Sequence, residues 1–517
     1  MYLARRNCVI INQLRCFSAQ VKEATASDYR ADVIEENWKT AKPYSDIPSP
    51  SAFKLLFSFL PGGRFNSVPL SVIHENLKKE YGSIYKLKGA FGKRDALILH
   101  DPKDYEIVFR TEGNFPMRRL FDTIAYYRKE HRKDRFAKSA GLLNEHGQAW
   151  WDLRHKVNGV MMKPQITKGY TTTVDEVASD FVKKLHNLRD SNLDTPSDLL
   201  YQLNLWALES ISYITMNVRM GLLTGKPDES VVKFTQNLKI LFDLLFQLEF
   251  LPSIWKVYKT PKFNKFLQIM DELHDTIEKF VEIGLANLKE NSADKKSNSR
   301  EESVLEKLYA IDKDIAFLMA MDSILGGVDS TAVATFSILY NLAQNKEKQD
   351  ILRSELLKIL PEKDSPLTIE NMSNLPYLRA CIKEGMRIMP VIGGNLRTTG
   401  QNIVIKGYQV PKETDVLMPG ELFYKNDYYF PEAKSFRPER WLRSVEKHEN
   451  YNPFTYIPFG FGSRNCVGRR FAEMEIECLV TRLVRNYHLE WHQPPPKIRS
   501  TTINIPYGDL RLRLKEY

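Results

Sequence analysis

The apolar pattern of the chain changes period along its length. Near the amino-terminal end, Ser83-Ile84-Tyr85-Lys86-Leu87 alternates, and residues 82–110 are expected to form a small sheet. From about 146 to 390 apolar residues recur at three and four, which predicts a long succession of helices. The most apolar of these, over 311–343, contains Gly326 and Gly327. Two adjacent glycines cost ~2 kcal/mol relative to alanine inside a helix, so a weakened turn is expected there. Short β-type runs return over 392–415, whereas 420–465 is rich in Pro, Phe, Tyr and Asp and has little periodicity. A last helix is predicted over 467–486, followed by Pro494-Pro495-Pro496 and a strand-like tail. Upstream, Pro43, Pro48, Pro50 and Pro61 make 23–65 read as an extended lead-in. The low-complexity stretch Asn291–Arg300 reads as a surface loop. No repeat and no dividing linker stands out. The expected fold is therefore mainly α with small β-sheets, one large domain over 46–517 preceded by an 18–45 extension.

Composition narrows the partners. The chain has 517 residues, 43% of them hydrophobic, which is ample for a large core. Its net charge of +10 suits nucleic acid, an anionic membrane or an acidic protein. Nucleic acid is set aside: the nearest basic block, 128–133, is broken by Glu130, and no zinc-finger or RNA-binding pattern occurs. Five cysteines at 8, 16, 381, 466 and 478 form no CxxC pair, so neither a zinc site nor a disulfide framework is expected.

Residues 1–22 hold Arg5, Arg6, Arg15 and Lys22 and no acid before Glu23. Apolar residues interleave with the arginines, as in a mitochondrial transit peptide. Residues 1–17 are expected to be the cleaved leader, Arg15-Cys16-Phe17-Ser18 resembling a processing site; a frayed basic terminus is the alternative. The apolar run at 8–11 is too short for a secretory signal, and a membrane-spanning run of ~20 apolar residues was not found.

Chemistry concentrates at 458–469, Pro-Phe-Gly-Phe-Gly-Ser-Arg-Asn-Cys-Val-Gly-Arg, just before the last predicted helix. A cysteine at a helix start meets backbone amides and a dipole that favour a thiolate. Gly460, Gly462 and Gly468 permit close approach of a flat ligand, and Arg464 offers a cation for a carboxylate. A dinucleotide-binding glycine loop fails here because Asn465 stands at the third glycine position.

The string Phe459, Gly462, Arg464, Cys466, Gly468 resembles the haem-binding signature of the cytochrome P450 family, with every position filled. The resemblance implies a haem-thiolate monooxygenase carrying haem b, with Cys466 as axial ligand and Phe459 and Arg464 beside it. Further family motifs follow in order. Trp150 and Arg154, and also Arg397, match residues that reach the haem propionates. Glu384 and Arg387, with Arg440 of Pro438-Glu439-Arg440, match a buried structural triad. Gly326-Gly327-Val328-Asp329-Ser330-Thr331 matches the oxygen-binding turn. It implies proton delivery by Asp329 with Ser330 or Thr331. The family usually has Thr where Ser330 stands, and the lost methyl leaves the hydroxyl rotamer freer. Back-bonding to the helix is the plainer role for Ser330.

The leader and the lack of an amino-terminal anchor resemble the mitochondrial branch of animals, and the region around 426–431 resembles insect members. That branch takes electrons from an acidic [2Fe-2S] ferredoxin, itself reduced by an NADPH-dependent ferredoxin reductase. Docking is expected near Arg379, Lys383, Arg469 and Arg470. The resemblance further implies a peripheral site on the matrix side of the inner membrane. Residues 240–262, with Phe246, Phe250, Leu251, Ile254, Trp255 and Tyr258, either touch that membrane or pack in the core. A lipophilic small-molecule substrate is implied, a xenobiotic in preference to a steroid. The alternatives are a haem-thiolate isomerase or dehydratase working without dioxygen, and a non-catalytic haem or ligand-binding protein.

Overall fold

Helices build most of the molecule, as the three-and-four period requires. The computed structural model describes residues 31–89, 92–225, 229–293, 302–444 and 452–517. The proposed leader and its two cysteines lie outside the described residues. Seven helices position the site: α1 (Gly147–Met161), α2 (Leu199–Met216), α3 (Glu229–Glu249), α4 (Pro261–Ala293), α5 (Lys313–Gln344), α6 (Pro376–Ile388) and α7 (Arg469–Asn486).

The longest apolar pattern becomes the central helix α5. It starts where the Asp312 carboxylate accepts the backbone N–H groups of Asp314 and Ile315, satisfying donors the first turn leaves free. It packs against α2, α4, α6 and α7. The expected weakness at Gly326-Gly327 does not break it: α5 is continuous. Gly327 instead admits a close neighbour, since a Cβ there would lie 3.5 Å from Ile211 of α2. By length and composition α5 could cross a membrane, contrary to the sequence expectation that no such segment exists. Most of its apolar window is buried inside the protein, which makes it a core helix.

The alternating runs pair as expected. Strands β1 (Ile84–Leu87), β2 (Ala96–Leu99), β3 (Asn395–Thr398) and β4 (Asp415–Met418) form one sheet in the order β1-β2-β4-β3. β2 and β4 run parallel and the outer pairs antiparallel, with Arg397 on β3 opposite Val416 on β4. Three two-stranded sheets complete the β content of the described residues.

Two expectations are corrected. The 23–65 lead-in contains helices at Ala31–Thr40 and Ala52–Phe59. Its prolines bracket these helices instead of running through them, and Leu55 and Phe59 dock on the cluster around Phe65 and Ile73. The loop expected at Asn291–Arg300 is corrected at its start, where residues 291–293 belong to α4; residues 294–301 lie outside the described residues.

Candidate cofactor site

The cysteine loop turns on two glycines. Gly460 (φ +74°) and Gly462 (φ +71°) hold left-handed conformations that a side chain would strain. The Cys466 N–H donates to the Phe459 carbonyl at 2.9 Å, closing the loop. Gly468, with an ordinary φ of −86° and open space where a Cβ would point, shows no such demand from the protein itself.

α7 starts at Arg469, so its first amides face back onto the cysteine. The N–H groups of Gly468 and Arg469 donate toward the Cys466 sulfur, and the Arg118 and Arg154 guanidiniums stand nearby. Desolvation pushes the thiol up, and the amides and guanidiniums pull it back down; burial wins. The sulfur is solvent-accessible yet strongly desolvated, as for a group facing an enclosed slot. Such a sulfur becomes a thiolate when it coordinates a metal cation, and its amide donors are the partners a ligating thiolate needs.

Four arginines surround this loop. Arg154 of α1 donates to the Asn465 side-chain oxygen at 2.7 Å, while its Nε is buried without a partner. Arg118, which the sequence reading missed, also has a buried, unpartnered Nε and interacts electrostatically with Cys466, Arg154 and Arg397. Arg397 of β3 donates to Glu112 at 2.8 Å, to the Phe461 carbonyl at 2.9 Å and to its neighbour's carbonyl. Burial pushes Arg118 and Arg154 down to about 10 and Arg464 to about 9, all still cationic at neutral pH. Orphaned guanidinium donors in a desolvated cluster fit an anionic ligand, such as the two propionates of a haem.

Arg464, expected to offer a cation for a carboxylate, is fixed by bonds within the chain. It donates to the carbonyls of Pro116, Leu142 and Glu145, and to Nδ1 of His146 at 3.2 Å. His146 is held neutral because burial and Arg464 push its pKa down to about 4. The guanidinium also stacks over the Trp150 ring at 4.3 Å. Arg464 therefore spends most of its donors clamping the cysteine loop to residues 116–146. Phe459 is half-buried beneath the Arg469 guanidinium, 5.3 Å from it.

A second cluster braces the loop from below. Glu384 and Arg387 are fully buried on α6. The Glu384 carboxylate accepts two bonds from Arg387 and one each from the Arg437 amide, the Arg440 Nε and the Trp441 indole. Trp441 packs against Tyr456 with the rings tilted by 43°, and the Tyr456 hydroxyl donates to the Lys383 carbonyl at 2.8 Å. Glu439 turns away and pairs with Lys348 and Tyr377. The expected triad is present, with Trp441 and Arg437 as additions.

On α5, the Ser330 hydroxyl donates to the Gly326 carbonyl at 2.7 Å, the back-bonding geometry. Thr331 is buried with its hydroxyl unpartnered. Burial pushes the Asp329 carboxyl up to about 6, with Asn204 of α2 and Lys239 of α3 pulling it down and Asp243 of α3 raising it. Asp329 thus points toward α2 and α3. α5, which carries these three residues, packs on α7, the helix that follows the cysteine loop.

The basic residues expected to face a partner are partly engaged within the chain. Arg379 pairs with Glu477 at 2.9 Å and donates to the carbonyls of Met372 and Ser373. Arg469 pairs with Glu473, and Arg470 donates to the Met162 carbonyl. Lys383 is exposed, its pKa lowered by desolvation and by Arg469, Arg379 and Arg443 nearby while Glu473 opposes.

Comparison with known proteins shows the family. Residues 48–511 match the family model described as Cytochrome P450. The chain is 40% identical to the probable mitochondrial cytochrome P450 12b2 of Drosophila melanogaster, over 93% of this chain and 91% of that protein. It is 36% identical to cytochrome P450 CYP12A2 of Musca domestica, over 100% and 99% respectively. A probable mitochondrial cytochrome P450 12a5 of Drosophila melanogaster is 38% identical over 93% and 92%. The chain belongs to the cytochrome P450 family of haem-thiolate monooxygenases and is most similar, among these relatives, to the mitochondrial insect members.

Proposed function

We propose that the protein is a ferredoxin-dependent mitochondrial monooxygenase that oxidises a lipophilic substrate, with Cys466 as the axial ligand of its haem. The observation that carries the assignment is the desolvated sulfur of Cys466, which receives two helix-start amides and lies beside Arg118 and Arg154. Arg154, Arg397 and Arg118 would hold the propionates, Trp150 and Arg464 would fix the loop around them, and Phe459 would line the haem site. A haem held there would supply dioxygen activation: with two electrons from the donor and two protons, one oxygen atom would enter the substrate and the other would leave as water.

The chain's own residues move the protons. Asp329, with its pKa raised to about 6, exchanges a proton near neutral pH, and its neighbours Asn204, Asp243 and Lys239 lead outward along α2 and α3. Lys239 is exposed on α3, so one of the charges acting on Asp329 lies at the surface. Ser330 keeps an accepting lone pair while it donates to Gly326, and so can take up and pass on a proton. Thr331, buried in the core, supports the helix.

An acidic ferredoxin docks on the basic face that includes Lys383, Arg379, Arg443 and Arg469. Lys383 is its exposed contact, since Arg379 and Arg469 already have acidic partners. The relatives' mitochondrial names support the compartment and this donor. Peripheral membrane contact on the matrix side is supported by Phe53 (75% exposed) and Phe57 (63%) beside Lys54, and by Val257 (79%) and Tyr258 (65%) beside Lys256 and Lys259. In 240–262 the core claims only part: Trp255 is buried and stacks on Phe263 at 4.7 Å.

Two experiments test the proposal. Reduced protein under carbon monoxide should show a Soret band strongly red-shifted from that of a His-ligated haem, lost in Cys466→His; a band kept in that variant sinks the ligand assignment. Reconstitution with ferredoxin and its reductase, screened against insecticides and steroid precursors, identifies the substrate class. Turnover without any reductant would favour an isomerase or dehydratase instead.

A further inference from the structure

The buried arginines leave a charge problem that one carboxylate answers. Arg154, Arg397 and Arg464 are buried, and Arg118 lies within electrostatic range of all three. Like charges desolvated together repel strongly. The acid among them is Glu112, which is itself buried. One of its oxygens accepts from Arg397 Nε at 2.8 Å, and its charge also acts on Arg464. Its other oxygen lies against the cysteine loop, for a Cβ at Gly462 would come within 2.7 Å of Oε1. Arg397 is clamped between the same two places. It donates to the Phe461 carbonyl on the loop and stacks over Phe109 at 4.9 Å.

We propose that Glu112 is a positioning residue of the haem site, which pins Arg397 to the cysteine loop and sets the positive charge felt by the iron. The inference rests on the assignment of Cys466 as axial ligand. An iron that cycles between ferric and ferrous states responds to fixed charge nearby, and a desolvated site screens that charge poorly. A negative charge at Glu112 disfavours reduction, and the Arg397 charge favours it. The pair thus gives the chain a means of setting how readily its haem accepts the first electron.

The test separates charge from position. Glu112→Gln keeps an oxygen to accept from Arg397 and removes only charge, so the ferric/ferrous midpoint potential should move positive with haem retention close to that of the parent. Arg397→Gln should move it the opposite way. Glu112→Ala removes the hydrogen bond as well and should speed haem transfer to excess apomyoglobin by about tenfold, the worth of a hydrogen bond to a charged group. Glu413→Gln, at an exposed partner of Arg119, is the control and should leave the potential in place. An unchanged midpoint in Glu112→Gln, or an equal shift in Glu413→Gln, overturns the proposal. The carbon monoxide band is recorded on the same samples. Its absence from the parent protein would mark failure of the Cys466 assignment and overturn both readings.

Discussion

Glu475 offers a stability test whose sign follows from burial. It sits on α7 with its side chain in the core, facing Ser210 of α2, and its Oε1 has no hydrogen-bond partner. Desolvation raises its pKa from 4.5 to about 8. In the folded protein it is then a neutral acid at pH 7, whereas in the unfolded chain it is ionised. A carboxyl raised in this way costs stability as pH rises above the unfolded value, and the cost levels off above the folded one. At ~1.4 kcal/mol per pKa unit the cost is about 1 kcal/mol at pH 5.5, about 3 kcal/mol at pH 7 and about 4 kcal/mol at pH 8. Glu475→Gln is nearly isosteric and carries no charge, so it should stabilise the protein by a margin that grows with pH. Urea unfolding at pH 5.5, 7 and 8, followed by far-UV circular dichroism, reads this as a widening gap between midpoints. A constant gap, or a loss of stability at pH 8, would show that the carboxylate is ionised and compensated in the fold.

Four further outcomes are expected. Glu384→Ala leaves Arg387 buried without its partner and should cost about 3–5 kcal/mol, seen as a lower melting temperature and a lower haem-to-protein ratio after purification. Asp329→Asn should slow turnover and remove the limb of the pH–rate profile near 6, because the amide cannot exchange the proton that the raised carboxyl does; Ser330→Thr should raise the share of consumed NADPH recovered as product by stiffening the hydroxyl. Lys383→Glu should weaken ferredoxin binding and flatten its salt dependence, measured by titration at several ionic strengths, while the carbon monoxide band stays in place.

What could be read from the sequence depended on how far apart the cooperating residues lie. The cysteine loop is contiguous, so one string of twelve residues displays the turn glycines, the cysteine and the helix start together. Glu384 and Arg387 share a helix face, and Arg440 was recognisable by its place in a known motif. Glu112 and Arg118 had neither advantage. They sit in an irregular stretch, and Glu112 meets Arg397 across 285 positions of chain; nothing in the local pattern of Glu112-Gly113-Asn114-Phe115-Pro116-Met117-Arg118 announces a charge cluster. Arg379 and Lys383 show the reverse limit. Their spacing correctly puts both on α6, but helical spacing says nothing about Glu477 arriving from α7 to occupy Arg379. The prolines make the lead-in read as extended, whereas tertiary docking of Leu55 and Phe59 decides that segment.

The two buried clusters divide one task. The cysteine loop has few backbone bonds of its own: Gly460 to Ile457, Asn465 to Gly462 and Cys466 to Phe459. With two left-handed glycines it cannot hold its position by local structure alone. On one side, Arg464 reaches from the loop to residues 116–146, and Arg154 of α1 and Arg397 of β3 reach the loop. On the other, the Glu384 cluster fixes Trp441 and, through it, Tyr456. A thiolate ligand must meet the iron at a set distance while its amide donors stay aimed at the sulfur. Support from both sides supplies that rigidity. It follows that substitutions at Glu384, Arg387 or Arg440 should act on cofactor retention without touching the cofactor, whereas substitutions at Glu112 or Arg397 should act on its redox balance as well.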